Sequence, residues 1–320
     1  MSLPDVAPHK AGTGEESLSD ALARANAAFA RVGPILSHLL ASPDHSLFSD
    51  EIVARIRGMC HHLAWQVLRA QAEAAGQASR EAFADRHGEA LAEHFYENTA
   101  LLAHCHALAL EWQLTERLEA QYGIDPVLSP LIQEAIAAPD TGLASAAMAS
   151  LTAQARFAQT QRRMELPLSE LPGDLFHGLL MDWRAYSGQL RSDAMIRAEA
   201  KLRNAFDEGA GRISLMSRVV AGMGAEAVRA LDIDHAGVGL FVSALALRAG
   251  QTRVAAVLST HHDQAARLAL GLRASGLEPA QVQAVVLRIN PNALPPVEVA
   301  NMSPDEARRH LSSTTPAEAD

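Results

Sequence analysis

The residues with the clearest potential for chemistry are two cysteines, each set among histidines. Cys60 begins a Cys-His-His run that ends at His62, and Cys105 stands at the centre of a His-Cys-His run. Thiolate and imidazole are ligands that zinc prefers, and a histidine can also hold haem iron. The two runs therefore form one candidate site if the fold brings them together.

Both runs lie in segments whose apolar residues recur every three or four positions, which predicts helices. On the first helix Cys60 lies beside the apolar stripe and His62 at its border, whereas His94 and Cys105 fall on the apolar face of the second. A short connection between antiparallel helices would put Cys60 opposite His94, and a longer one opposite Cys105. The candidate metal ligands are Cys60, His62, His94 and Cys105, with zinc or haem as the cofactor.

A simpler interpretation is that these residues only pack. A free cysteine behaves as a small apolar residue, and neighbouring positions do not share a helical face, so neither run is a chelate by itself. The first prediction is therefore that no cofactor is bound. His94 and Asn98, four residues apart, are expected to face the core and to hydrogen-bond each other or a backbone carbonyl.

The densest basic stretch is a second candidate site. Arg156, Arg162 and Arg163 lie near the end of a predicted helix, where they could bind an acidic partner protein or an anion such as phosphate. The alternative is a solvated face whose arginines pair with Glu165 and Glu170.

Residues 272–288 have the outline of a helix-turn-helix. A recognition helix needs exposed groups that reach base edges, and the second helix offers Gln281, Gln283 and Arg288. The chain carries a formal net charge of -10, however, and such a chain is repelled by nucleic acid unless its positive charge is concentrated on one face. Nucleic-acid binding is not expected.

A third group of possible ligands is His261 and His262, which are followed by Asp263. They stand at the head of a predicted helix, and no further ligand is apparent nearby in the sequence. We predict a role at the helix start or at an interface.

The elements that must position these residues are all helices. From about residue 17 to 290 apolar residues recur at helical spacing, and the alternation typical of strands is missing. Abundant alanine favours helices and lets them approach closely. We predict an all-α fold, with a helical bundle followed by an irregular array of helical hairpins in HEAT-like or orthogonal packing.

Helix-breaking residues along the chain predict how it is divided into parts. Two prolines and a glycine in 164–173 cannot continue a helix, so this segment is predicted as a linker. It separates an N-terminal helical part (17–163) from a C-terminal helical-hairpin part (174–302). Residues 1–16 and 303–320 have the composition of disordered tails.

Composition and missing motifs limit the function. No apolar run reaches the roughly 18 residues of a membrane span, and no apolar segment follows Lys10 as in a secretory signal, so a cytoplasmic location is expected. There is no P-loop, dinucleotide-binding glycine motif, nucleophile elbow or HExxH motif. The leading prediction is a non-enzymatic interaction or regulatory scaffold that binds another protein. The alternative is a metal- or haem-binding sensor or enzyme centred on Cys60, His94 and Cys105, and a third is a DNA-binding regulator using 272–288.

Several stretches resemble a known group of proteins. Residues 124–132, 153–157 and 161–176 resemble alphaproteobacterial all-helical proteins of unknown function. The hairpins between 235 and 287 are similar to the C-terminal part of a HEAT-like domain from those bacteria. The resemblance covers about 124–290 and implies a HEAT-like fold in a bacterial protein. It brings no catalytic residues.

Overall fold

A computed structural model of the chain describes residues 18–41, 49–188 and 192–313, and these ranges contain helices and no β-strand. The all-α class is therefore confirmed. The α-helices are α1 (Leu18–Ala41), α2 (Asp50–Ala74), α3 (Arg80–Phe95), α4 (Thr99–Tyr122), α5 (Pro130–Ile136), α6 (Thr141–Arg162), α7 (Gly173–Ser187), α8 (Asp193–Ala205), α9 (Arg212–Gly222), α10 (Ile233–Ala249), α11 (Arg253–Ser259), α12 (Ala265–Ala274), α13 (Pro279–Ile289), α14 (Val297–Asn301) and α15 (Pro304–Ser313). Short 3-10 segments cover Leu168–Glu170, Glu208–Ala210, Gly224–Leu231 and His262–Gln264.

Helix α4 is the centre of the fold. It packs against α1, α2, α6, α7, α10 and α11, and residues on all of its sides are buried. A helix that is buried all round belongs in the middle of a larger bundle. Two buried clusters meet on it, because Cys105 and Trp112 belong to one and Leu114 and Leu118 to the other.

The two clusters do not divide the chain at 164–173. Helices α7 and α8 follow this segment, yet they pack with α2, α3 and α4. Helix α5 precedes it, yet it packs against α10 in the cluster that also contains residues of α9 and α11 to α13. The segment itself contributes Leu166, Leu168 and Leu171 to the first cluster. At its start, Met164 adopts a φ of 58° and lies so close to α2 that a Cβ on Gly58 would come within 2.6 Å of the Met164 carbonyl oxygen.

The C-terminal tail predicted as disordered over 303–320 is helical from Pro304 to Ser313. Ala307 and Leu311, four residues apart, are buried in the second cluster, where α15 packs against α12. Two apolar positions in a polar sequence were too few to show a helix by periodicity. The predicted tail 1–16 and residues 314–320 lie outside the described ranges.

The single helix predicted to carry both His94 and Cys105 is two helices. α3 ends at Phe95, and Asn98 begins α4 by accepting a hydrogen bond from the Leu101 backbone nitrogen at 2.9 Å. The Asn98 side chain also donates to Asp182 on α7 at 2.6 Å. The expected placement of His94 and Asn98 on one core-facing helix is therefore wrong, because Asn98 serves as a helix cap.

Among the described residues, no single helix has both the length and the apolar composition needed to cross a membrane. One pair of helices, Gly224–Leu231 and Ile233–Ala249, meets the length and composition criteria together, with a bend of 112° between the two.

Candidate functional sites along and around the central helix

The most highly connected polar group on α4 is Glu111, whose side chain is 1% exposed. Arg212, at the start of α9, donates to its two carboxylate oxygens at 2.7 and 3.0 Å. Arg253, at the start of α11, donates to the same oxygens at 2.7 and 2.9 Å. Each arginine thus meets the carboxylate with two parallel hydrogen bonds, the strongest geometry for this pair. Three helices are joined at one buried carboxylate.

Neighbouring side chains provide further contacts for the arginine in the interior of this network. Arg212 also donates to the Gln154 side-chain oxygen at 3.1 Å, and its guanidinium lies 3.6 Å from the centroid of the Phe157 ring. Burial alone would raise the pKa of Glu111, but the two guanidiniums outweigh it and hold that pKa well below its usual range. A carboxylate that stays ionised and fully engaged is a poor proton acceptor, so the network is structural.

Local sequence patterns do not reveal the role of Glu111, because its partners are distant in the chain. The arginines that bind it lie 101 and 142 residues further on. A lone charged residue on a predicted helix is normally assigned to the solvent side. The one available signal was that the apolar residues around Glu111 leave α4 with no polar face.

His104 lies on the same helix and is buried as a neutral imidazole. Its Nε2 atom has no hydrogen-bond partner among the described residues. Desolvation, reinforced by the positive charges of Arg253 and Arg212, lowers the pKa of His104 to about 4. His106, on another side of α4, has its pKa lowered to about 4 by desolvation and by His261.

The two cysteines of the predicted metal site lie together. Both thiols are fully buried and free, and they are neighbours between α2 and α4. Of the two registers considered, the structure has Cys60 opposite Cys105. The hydrogen bond from Cys60 and the burial raise the pKa of Cys105 well above its usual value, so this thiol stays protonated.

The two histidines of the predicted metal site do not join the thiols. The Nδ1 atom of His62 lies 2.9 Å from the Leu166 carbonyl oxygen and accepts from the Leu166 backbone nitrogen at 3.1 Å. His94 is partly exposed, with its Nδ1 atom 3.7 Å from a Glu97 oxygen and its ring 5.7 Å from that of Tyr186. Among the described residues, the group of metal-ligand side chains close enough to hold an ion lies elsewhere, at residues 261–263.

The predicted basic site on α6 is at the surface. Arg156, Arg162 and Arg163 are all exposed: Arg156 lies within α6, Arg162 is its last residue and Arg163 follows it. Arg163 pairs with Glu165 at a distance of 4.0 Å. Glu170, the other expected partner, instead accepts a hydrogen bond from the first backbone nitrogen of α9 at 2.8 Å.

The helix-turn-helix outline corresponds to α12 and α13. Gln283 is exposed, but the other two polar side chains of the second helix are engaged within the molecule. Arg288 donates to Asp234 at 2.8 Å, and its guanidinium lies 3.5 Å from the centroid of the Tyr122 ring. Gln281 accepts a hydrogen bond from the Glu278 backbone nitrogen at 2.9 Å as part of a helix cap. Gln281 and Arg288 also line a groove of about 460 Å³ against residues 228–234.

The segment after α13 presents apolar side chains to solvent. Leu294 is 73% exposed and Val297 is 75% exposed, the highest values for large hydrophobic residues in the described part of the chain. Pro295 and Pro296 stand between them, and Pro296 has φ and ψ of -57° and 139°, the extended polyproline conformation. The exposure of Leu294 and Val297 was not predicted, although the two adjacent prolines indicate a segment that is not helical.

Comparison with known proteins gives no relative from which a function could be transferred. No family model matches the chain, and neither the curated proteins nor the solved structures contain a match. The resemblance of about 124–290 to alphaproteobacterial HEAT-like proteins therefore stays a prediction.

Proposed function

We propose that this chain is a non-enzymatic interaction scaffold that binds another protein through residues 291–297, here called the proline segment. The observation that carries the proposal is the exposure of Leu294 and Val297 on either side of two prolines. Covering a large apolar side chain contributes roughly 1.5–3 kcal/mol, so a partner that buries both gains substantially.

The proline segment is held at both ends. On its N-terminal side Asn290 is buried and donates to the Thr260 carbonyl oxygen at 3.1 Å. The Ala293 backbone nitrogen donates to the Asn290 carbonyl oxygen at 2.9 Å, and beyond the prolines Val299 is buried. Prolines and fixed ends leave less conformational entropy to lose on binding, which favours recognition of the segment as it stands.

The chemistry of the segment indicates the kind of partner. Extended proline-containing segments dock into apolar grooves lined by aromatic side chains. The groove beside α13 adjoins the segment, because Arg288 at its edge precedes Pro291 by three residues, at most about 11 Å of chain. Its apolar wall, which includes Val228 and Val285, can contact the rim of the same partner. We place this partner in the cytoplasm, a compartment that suits the free thiols of Cys60 and Cys105.

Site-specific photo-crosslinking in the native cell tests the proposal. A photoreactive amino acid at Leu294 is expected to capture a defined protein, whereas the same amino acid at Leu247 is not. Leu247 is a matched control because it is 51% exposed on α10 and has no flanking prolines. Replacing Val297 with Asp should reduce the Leu294 crosslink at least tenfold. Equal crosslinking at both positions, or none at Leu294, would contradict the proposal.

The sensor or enzyme centred on the cysteines is a second candidate, favoured by the contact between Cys60 and Cys105. Two thiols provide only half of a tetrahedral zinc site, and the other expected ligands, His62 and His94, have different neighbours. Elemental analysis and an absorption spectrum of the purified protein test it. Stoichiometric zinc, iron or haem that is lost in Cys60→Ala and in Cys105→Ala would establish this function in place of the scaffold.

A further inference from the structure

We infer that His261, His262 and Asp263 form a binding site for a divalent transition metal ion, represented here by Zn²⁺. Two imidazoles and one carboxylate are a ligand set that zinc and related ions accept. In the described part of the chain, this is the group of three potential ligands whose donor atoms all lie within 4.8 Å of one another.

The distances among the donor atoms are close to those that a bound ion requires. His262 Nε2 lies 3.2 Å from one oxygen of Asp263, and His261 Nδ1 lies 3.7 Å from the other. Ligands that bind one Zn²⁺ tetrahedrally at roughly 2.0–2.1 Å are about 3.3 Å apart. His261 Nδ1 also accepts a hydrogen bond from the Asp263 backbone nitrogen at 3.4 Å. Side-chain rotations that release this hydrogen bond bring one atom from each residue onto a common ion.

The backbone conformation explains how three consecutive residues can bind one ion. They stand where α11 has ended and α12 has not begun, with His261 extended (φ -67°, ψ 149°) and a 3-10 turn from His262 to Gln264. Within an α-helix, adjacent side chains point in different directions, but this turn brings the two imidazole rings together, tilted by 44° with centroids 4.1 Å apart. The sequence predicts a helix start or an interface at these residues, where such convergence is not expected.

A cavity beside the two histidines leaves room for further ligands. It has a volume of about 280 Å³ and is also lined by Gln113 and Arg117 of α4 and by Thr260. Arg117 donates to the Ile289 carbonyl oxygen at 3.0 Å, and its positive charge on the cavity wall disfavours the ion but suits an anionic fourth ligand. Three protein ligands with an open position are the pattern of zinc sites that also bind water or a small anion.

Zinc titration of the full-length, metal-free protein, prepared without a histidine tag, tests this inference. Isothermal calorimetry with Zn²⁺ alone is expected to give one ion per chain, with an affinity reduced at least tenfold in His262→Ala and in Asp263→Asn. The two side chains are 69% and 71% exposed, so neither change disturbs the core. His87→Ala, which removes an exposed histidine of α3, is the matched control and should bind as the wild type does.

Cobalt provides a second readout that does not depend on affinity alone. Co²⁺ added to the wild-type protein should give a visible absorption spectrum typical of imidazole ligation, and His262→Ala should lose it. Binding of Zn²⁺ that is equal in wild type and His262→Ala would overturn the inference. So would the absence of saturable binding, or binding that is lost in Cys105→Ala and retained in His262→Ala.

Discussion

Two carboxylates in this molecule are each held by two arginines, one in the interior and one near the surface. The Glu111 side chain is 1% exposed and its arginines are 2% and 13% exposed. The Glu199 side chain is 4% exposed, but its partners Arg184 and Arg203 are 32% and 33% exposed. The chemical groups are the same, and the difference lies in how much water reaches the arginines.

This difference changes what each network contributes. Glu199 binds arginines 15 and 4 residues away, so it connects α7 and α8 locally, and water can replace either partner. Exposed pairs of this kind contribute about 0–1 kcal/mol. In the interior no water can replace a lost partner, so removing one charge leaves the others buried without compensation, at a cost of about 3–5 kcal/mol. The buried network is therefore a requirement for assembly rather than a large source of stability.

The largest expected effect comes from Glu111→Gln. This change keeps the size of the side chain but leaves Arg212 and Arg253 buried next to each other without a counter-charge. We expect the free energy of unfolding to fall by about 4 kcal/mol, measured by urea denaturation at pH 7.

The matched test replaces the whole network by apolar side chains. A triple variant with Met at positions 111, 212 and 253 should recover most of the stability that Glu111→Gln loses, because no buried charge then remains. A triple variant less stable than Glu111→Gln would show that the ionic network is strongly stabilising in itself, and would reverse the conclusion drawn from the comparison.

The second-largest expected effect is a loss of stability at low pH, which arises from the buried residue His104. Folded His104 has a pKa of about 4, against about 6.5 in the unfolded chain, so below pH 6.5 the unfolded state binds more protons. Stability should therefore fall by about 3 kcal/mol as the pH decreases from 7 to 4 on account of this group. His104→Leu should reduce the pH dependence of the unfolding free energy by that amount, and an unchanged pH profile would contradict the neutral buried state.

A smaller loss is expected for Arg253→Met. Arg253 lies at the edge of the buried network, and Arg212 keeps its two hydrogen bonds to Glu111 in the variant. We expect a loss of about 2 kcal/mol in urea denaturation, since a hydrogen bond to a charged group contributes roughly that much. Arg212→Met should cost more, and the reverse order would show that the two arginines are not distinguished by burial.

The smallest effect is expected for Glu199→Gln, the surface counterpart of the first variant. We expect a loss of about 1 kcal/mol or less, because water solvates Arg184 and Arg203 when the charge is removed. The loss should shrink further in 1 M salt, where the screening length is about 3 Å. Equal losses for Glu199→Gln and Glu111→Gln would remove the distinction between the two regions.

Those parts of the fold that depend on local pattern could be predicted from the sequence. Helical spacing gave the all-α class. Serine is a residue type that favours helix caps, and Ser49 and Ser79 cap the beginnings of α2 and α3. The break between α3 and α4 was missed because the apolar spacing continues through it, although Asn98 is a residue type that favours helix caps. The helix Pro304–Ser313 was missed because its burial depends on α12.

The candidate sites depended on information that a single sequence does not hold. Whether Cys60 faces His94 or Cys105 depends on where one helix ends, and local spacing left both registers open. The arginines of Glu111 are too far along the chain for any local pattern to associate them with it. At His261–Asp263 the residue types were noticed, but the turn that lets them converge is a property of the three-dimensional path.

The position of Glu111 on the central helix has a consequence for the order in which the chain folds during synthesis. Its two arginines follow it by 101 and 142 residues. At translation rates of about 5–20 residues per second, Glu111 is synthesised about 7–28 s before both partners exist. Throughout that time the Glu111 carboxylate must remain hydrated, so α4, the most deeply buried helix, cannot be enclosed early. The middle of this molecule is completed last, when its C-terminal half arrives.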